Sequence, residues 1–174
     1  MSQHHPSMHY YDTPAEGLRA GMRRLAASVC VLSLRDAVGQ RQAMTATAVT
    51  SVSDSPASLL VCVNSQATLC TALSDGLPFC INVLHAEHAH IAAHCAKAKA
   101  GEMRFTQGNW GDSDNLPFLL GAQTAFFCDV ASHSQHGTHL IVIGAVKQVL
   151  VSHAELDPLL YADGCYHRLH RNTE

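Results

Sequence analysis

Apolar and polar positions alternate along this chain in short segments, most of them brief and rich in β-branched residues. From Pro14 to Ala27, Leu18, Met22, Leu25 and Ala26 recur at spacings of four, three and one, which predicts an amphipathic helix. Thr13 is placed to cap it and Pro14 to occupy its first position. Ser28 to Leu34 (SVCVLSL) reads as a strand ending in a turn over residues 35–40, with Asp36 and Gly39. Residues 42–53, dominated by Thr, Ala, Val and Ser, read as extended. Ser58 to Val63 (SLLVCV) is nearly continuous apolar and predicts a strand covered on both sides. Residues 67–74 fit a short helix closed by Gly76, and Leu77 to Leu84 another strand. A helix is predicted from about Ala86 to Ala98, and the polar stretch 101–115, with three glycines, reads as a loop. Two long strands follow, 123–134 and 138–150, turned at Gln135-His136-Gly137.

The count is five or six strands and three short helices. Strands come in runs with helices as inserts, so the expected fold is mainly β, a single-domain barrel rather than a doubly wound parallel sheet. No GxGxxG or GxxxxGK[ST] occurs, which removes the sequence basis for a Rossmann or P-loop site.

Composition narrows this further. A length of 174 residues suits one core, assigned to 14–170, with a leader at 1–13 and a tail at 171–174. A formal net charge of −3 and the absence of any Lys/Arg run argue against a nucleic-acid partner. No stretch approaches the ~20 apolar residues of a membrane span. Residues 1–14 lack the basic and apolar regions of a secretory signal, so the cytoplasm is the expected location. There the seven cysteines, none in a CxxC pair, should stay reduced.

The segment most suggestive of chemistry is Met44 to Asn64, MTATAVTSVSDSPASLLVCVN. Its short side chains leave backbone N–H and C=O groups accessible between them. A flat heteroaromatic ring could dock there along one edge, helped by the hydroxyls of Thr45, Thr47, Thr50, Ser51 and Ser53. Asn64-Ser65-Gln66-Ala67-Thr68 then gathers a carboxamide and two hydroxyls before a helix, a reasonable site for a phosphate. Arg104-Phe105 could bring a cation and an aromatic face over the same place. Each piece has a plainer reading: an ordinary strand with a solvated face, a helix cap, a surface arginine.

The chain resembles the flavin reductase family of FMN-binding split barrels, from about Leu18 to Leu169. The stretches that carry the likeness are LRAGMRRLAASVCVLS, MTATAVTSVSDSPASLLVCVN, FCINVL, MRF, GTHLIVIGAV and PLLYADGCYHRL. It is especially similar to the reductase component of 4-hydroxyphenylacetate 3-monooxygenase and to the flavin reductase of pyrimidine utilisation. It departs in having Ala43 where several relatives have Gly, and Pro56 alone where many have a proline pair. The resemblance implies a split, Greek-key-like β-barrel that reduces FMN or FAD with NADH or NADPH. It implies an isoalloxazine along Thr45, Ala46, Thr47, Ala48, Val49, Thr50 and Ser51, and a ribityl phosphate near Asn64, Ser65 and Thr68 with Arg104 and Phe105. Asn82 and Val83 would lie close to the flavin, and Tyr166 and His167 near the same pocket. His139, of the GTH motif, would sit where nicotinamide stacks, as a positioning or electrostatic residue for hydride transfer, with general acid as the alternative role. A homodimer and a separate oxygenase receiving reduced flavin are implied as partners.

Other readings are a non-catalytic split barrel holding flavin, haem or pyridoxal phosphate, and a plain interaction domain. The imidazoles of His85, His88, His90 and His94 invite a metal, but only His90 and His94 share i,i+4 spacing, and two ligands do not make a zinc site.

Overall fold

The computed structural model describes residues 8–74, 76–97 and 101–170. Ala98, where the third helix was expected to end, the start of the leader (1–7) and the tail at 171–174 lie outside the described residues. Alternation of side chains across a pleated strand places Cys30, Leu32 and Leu34 of β2 (Cys30–Arg35) on one face and Val31 and Ser33 on the other. All five are buried, because β2 has a core on each side. It pairs with β3 (Arg41–Ala46) through a turn at Asp36–Gln40, where the Asp36 carboxylate accepts from the Val38 and Gln40 amides.

Seven strands form the main sheet, all paired antiparallel in the order β3-β2-β6-β9-β10-β5-β4. The others are β4 (Val49–Asp54), β5 (Ala57–Asn64), β6 (Phe79–Val83), β9 (Thr124–His136) and β10 (His139–Val151). The sheet's two edges, β3 and β4, are consecutive in sequence and separated only by Thr47 and Ala48. The sheet curls so that its edges come back together without closing, which makes a split barrel. Its interior is filled by Leu32, Leu34, Val61, Val63, Phe79, Ile81 and Val142. The short helix α2 (Thr68–Ser74) plugs it with Leu69 and Leu73. Packing there is tight: a methyl group on Gly144 would lie 2.7 Å from Phe79 Cζ.

A second core lies outside the sheet. Val29, Val31 and Ala43 meet Ile91, Ala92 and Cys95 of α3 (Ala89–Lys97), with Phe105 and Leu159. The closing segment is a hairpin, β11 (Leu159–Ala162) and β12 (Cys165–Arg168), which pairs with β1 (Ala27–Ser28). All seven cysteines are free thiols; five are buried, Cys62 is half-buried and Cys165 exposed.

Several expectations need correcting. Twelve strands are present among the described residues, not five or six. The predicted loop at 101–115 is a 3₁₀ turn (Gly101–Phe105) followed by β7 (Trp110–Ser113), which forms a hairpin with β8 (Leu116–Leu119). The helix expected from Ala86 begins as a 3₁₀ turn. The segment expected to be covered on both sides, β5, alternates instead, with Leu59, Val61 and Val63 inward and Leu60 and Cys62 half-buried on the other face. The first helix, α1, spans only Pro14–Met22. Thr13 caps it as expected, accepting from the Glu16 amide while donating to the Glu16 carboxylate. Its apolar stripe is not packed on the barrel, since Leu18 and Met22, like Leu25 beyond the helix end, are more than half exposed.

Candidate active site

The sheet edges explain why the segment around Thr47 can receive a ligand. As edge strands, β3 and β4 each have one row of backbone donors and acceptors without a neighbouring strand. At Thr47-Ala48 the two part company, although the Ala48 carbonyl still accepts from Cys62 N at 3.1 Å. A cavity of about 400 Å³ opens beside this split at the mouth of the barrel. Val49, Thr50 and Ser51 line one side of it, and Cys30, Val83 and Phe126 lie across. Its size and mostly apolar wall suit a small aromatic ligand. Thr47, Ala48, Thr50 and Ser51 are exposed and Val49 half-buried. Ala46 is buried opposite Cys30, so it offers only its backbone.

The polar cluster is a second group, at the end of β5. Asn64 pairs across the ladder with His139, and the amide and hydroxyl of Ser65 both donate to the Thr138 carbonyl at 3.0 Å. Thr138 Oγ1 lies 3.0 Å from His139 Nδ1. Asn64, Ser65, Thr68 and His139 are all exposed. Asn64 Oδ1 accepts from Gln66 N at 2.9 Å, and α2 starts only at Thr68. Val49 pairs with Val61, three residues from Asn64 along β5, so about 10 Å separates this cluster from the start of β4.

A third group surrounds α3. Thr45 Oγ1 donates to the Ala92 carbonyl at 2.7 Å, so that hydroxyl is turned to the helix rather than to the cavity. Arg104 donates to the Ala43 carbonyl, and its own carbonyl accepts from Cys95 Sγ at 3.6 Å. Tyr166 packs on the same cluster and forms an edge contact with Tyr161, 5.4 Å between centroids. Burial first, then Tyr161 and Cys95, push its phenol upward. His167 is occupied within its hairpin, with Nε2 3.1 Å from the Ala162 carbonyl.

Two assigned residues turn out to have structural surroundings. Asn82 has no exposed surface; its amide donates to Val31 O (2.9 Å) and Ser33 Oγ (3.0 Å), and its Oδ1 accepts from Leu119 N at 2.7 Å. These bonds tie β6 to β2 and β8, and the side chain points away from the cavity side of the sheet. The Phe105 ring is likewise buried, in edge contact with Trp110 and beneath the Arg41 guanidinium at 4.4 Å, so it presents no face to a ligand.

Each histidine of the 85–94 segment is locally engaged or enclosed. His85 accepts from Glu87 N and stands 3.8 Å from the Asp157 carboxylate. His90 Nδ1 is 3.0 Å from the Glu87 carbonyl and His94 Nε2 is 2.7 Å from the Met103 carbonyl. His88 Nδ1 is buried without a partner among the described residues. Among the described residues no three metal-ligating side chains converge. Sequence reasoning passed over Arg41 and Glu102, which meet 61 positions apart and hold the turn that carries Arg104.

Comparison with known proteins places the chain in a family. Residues 22–170 match the flavin reductase like domain. The FMN reductase (NADH) RutF 2 of Methylorubrum extorquens (strain PA1) is 36% identical over 158 residues, covering 90% of this chain and 91% of that protein. The FMN reductase (NADH) RutF of Yersinia enterocolitica is 32% identical over 159 residues, covering 91% and 86%. The crystal structure of BorF, the flavin reductase component of a bacterial two-component tryptophan halogenase, superposes with a TM-score of 0.81. It is 27% identical and covers 91% of this chain and 99% of its own.

Proposed function

This chain belongs to the flavin reductase like family, and from that premise we propose that it reduces FMN with NADH and releases reduced flavin to a separate oxygenase. The observation that carries the reading is the edge strand β4, whose Val49, Thr50 and Ser51, directly after the break at Thr47-Ala48, line an apolar cavity of about 400 Å³. Bound flavin supplies a hydride acceptor to reduced nicotinamide. Backbone N–H groups from Thr47 to Ser51 hold the ring's polar edge and stabilise the negative charge that develops there. The hydroxyls of Ser65 and Thr68, the Asn64 carboxamide and Arg104 hold the phosphate. His139 lies next to Asn64 in the ladder and orients the nicotinamide; hydride transfer requires no side chain as acid or base. Tyr166 supports this site through α3 rather than from within the cavity.

The outer face of β5 and β10 carries Leu60, Cys62, Ile141 and Ile143, all half-buried. This stripe supports a homodimer, a second copy covering it, which light scattering on the eluted protein tests. FAD and NADPH are the competing substrates. Steady-state turnover with both flavins and both nicotinamides decides among them. The expected result is NADH oxidation in air, with FMN added, far faster than FMN alone sustains. Flavin uptake seen by fluorescence without turnover would instead establish a non-catalytic binding protein.

A further inference from the structure

We propose that Arg41 and Glu102 form a clamp that positions Arg104, and that this pair sets the preference for phosphorylated flavin over riboflavin. The inference rests on the reading that Arg104 engages the flavin phosphate.

The turn Gly101–Phe105 is short and polar, and a 3₁₀ turn of five residues has little intrinsic stability. What fixes it is contact from outside. Arg41 Nε lies 3.0 Å from both carboxylate oxygens of Glu102, and the adjacent terminal nitrogen closes a fork at 2.5 Å. The same guanidinium covers the Phe105 ring at 4.4 Å. One side chain of β3 therefore grips the residues on both sides of the Met103-Arg104 pair, one by charge and one by its ring face. Gln42 Oε1 accepts from Gly101 N at 3.1 Å, and His94 and Cys95 of α3 engage the carbonyls of Met103 and Arg104. Arg104 itself donates to Ala43, two residues from Arg41 on the same strand. The backbone of Arg104 is thus held from β3 and α3 together.

Charge gives the clamp a second effect. Glu102 is a carboxylate two residues from the proposed phosphate ligand, and it would repel a phosphate dianion. The Arg41 hydrogen bonds hold its carboxyl below the usual range, so it stays ionised and paired. The pair is partly exposed, with side-chain exposures of 30% and 59%, and such a bridge contributes little to the stability of the fold. Its loss should therefore show at the phosphate rather than in the melting temperature.

The test compares KM for FMN and for riboflavin, with kcat and Tm, in Arg41→Gln, Glu102→Gln, Arg41→Lys and the double Gln variant. Arg41→Gln leaves Glu102 unpaired and should raise KM for FMN roughly tenfold. Glu102→Gln, which loosens the turn but removes the repelling charge, should raise it roughly threefold. Arg41→Lys keeps the charge but not the fork and should fall between Glu102→Gln and wild type. The double variant should resemble Glu102→Gln rather than add to Arg41→Gln. KM for riboflavin should stay put throughout. An unmoved KM for FMN in Arg41→Gln, or a parallel rise for both flavins, overturns the clamp. Arg104→Ala separates the levels. If that variant keeps the wild-type preference for FMN over riboflavin, the phosphate role of Arg104 falls and the clamp with it. If it loses the preference while Arg41→Gln keeps it, only the clamp falls.

Discussion

Replacing Asn82 by Leu asks whether this residue belongs to the flavin site or to the framework beneath it. Leucine keeps the branching of the carboxamide but removes its hydrogen bonding, and its greater bulk adds some crowding to that loss. The Leu119 amide loses its acceptor at 2.7 Å in a place without solvent. A buried donor left without a partner costs about 1–3 kcal/mol. Losing the two amide donations, to Val31 O and Ser33 Oγ, adds about 1 kcal/mol, because both oxygens have other bonding capacity. The sum is about 2–4 kcal/mol, which in a chain of this length lowers Tm by roughly 5–15 °C. Differential scanning calorimetry measures the drop, and flavin titration well below the new midpoint measures KM. The expected outcome is a lower Tm with KM for FMN changed less than about twofold. A Tm within about 1 °C of wild type together with a raised KM would refute the framework role and return Asn82 to the flavin.

His139→Ala should slow flavin reduction in single-turnover mixing with NADH while leaving Tm unchanged, since the side chain is exposed at the hairpin end; unchanged reduction kinetics remove it from the site. Gly144→Ala should destabilise by about 1–3 kcal/mol, because the new methyl meets Phe79 at 2.7 Å and Cys128 at 3.1 Å; an unaltered melt would show that the barrel core yields. His88 is held below the ordinary imidazole range, first by burial and then by His85 and His90, with Glu87 acting the other way. The unfolded chain therefore takes up this proton more readily. The stability contributed by neutral His88 is complete above about pH 6.5 and is lost as acid is added. His88→Leu should flatten the fall in Tm between about pH 7 and pH 5; an identical slope in both proteins would contradict this.

Much of the barrel was legible because its strands carry β-branched runs of the right length. Ser28–Leu34, Leu77–Leu84 and the long pair ending at His136 and His139 announce themselves this way. The β7–β8 hairpin did not, since Gly111, Asp112 and Pro117 have low strand propensity; it is held by Asn82 and Ser33 reaching out from β6 and β2. The segment Thr45–Ser51 was recognisable by its small residues, but which hydroxyls face the cavity depends on register, and Thr45 turns to α3. Phe105 reads as an exposed aromatic until Arg41 and Trp110 are seen around it. The Arg41–Glu102 fork joins residues 61 apart, a pairing that only the tertiary fold creates. Periodicity correctly marked an apolar stripe on α1 but carries no information about what covers it.

Reduced flavin released into air reacts with oxygen and generates peroxide beside the protein that made it. Attack on sulfur requires the thiolate. Burial pushes the Cys30 and Cys128 thiols up to about 12 and Cys95 to about 11, and raises Cys80 as well. These four sulfurs stay protonated in neutral solution and are chemically quiet toward the oxidant that released flavin creates. Cys165, out on the closing hairpin, is where sulfenylation would register first.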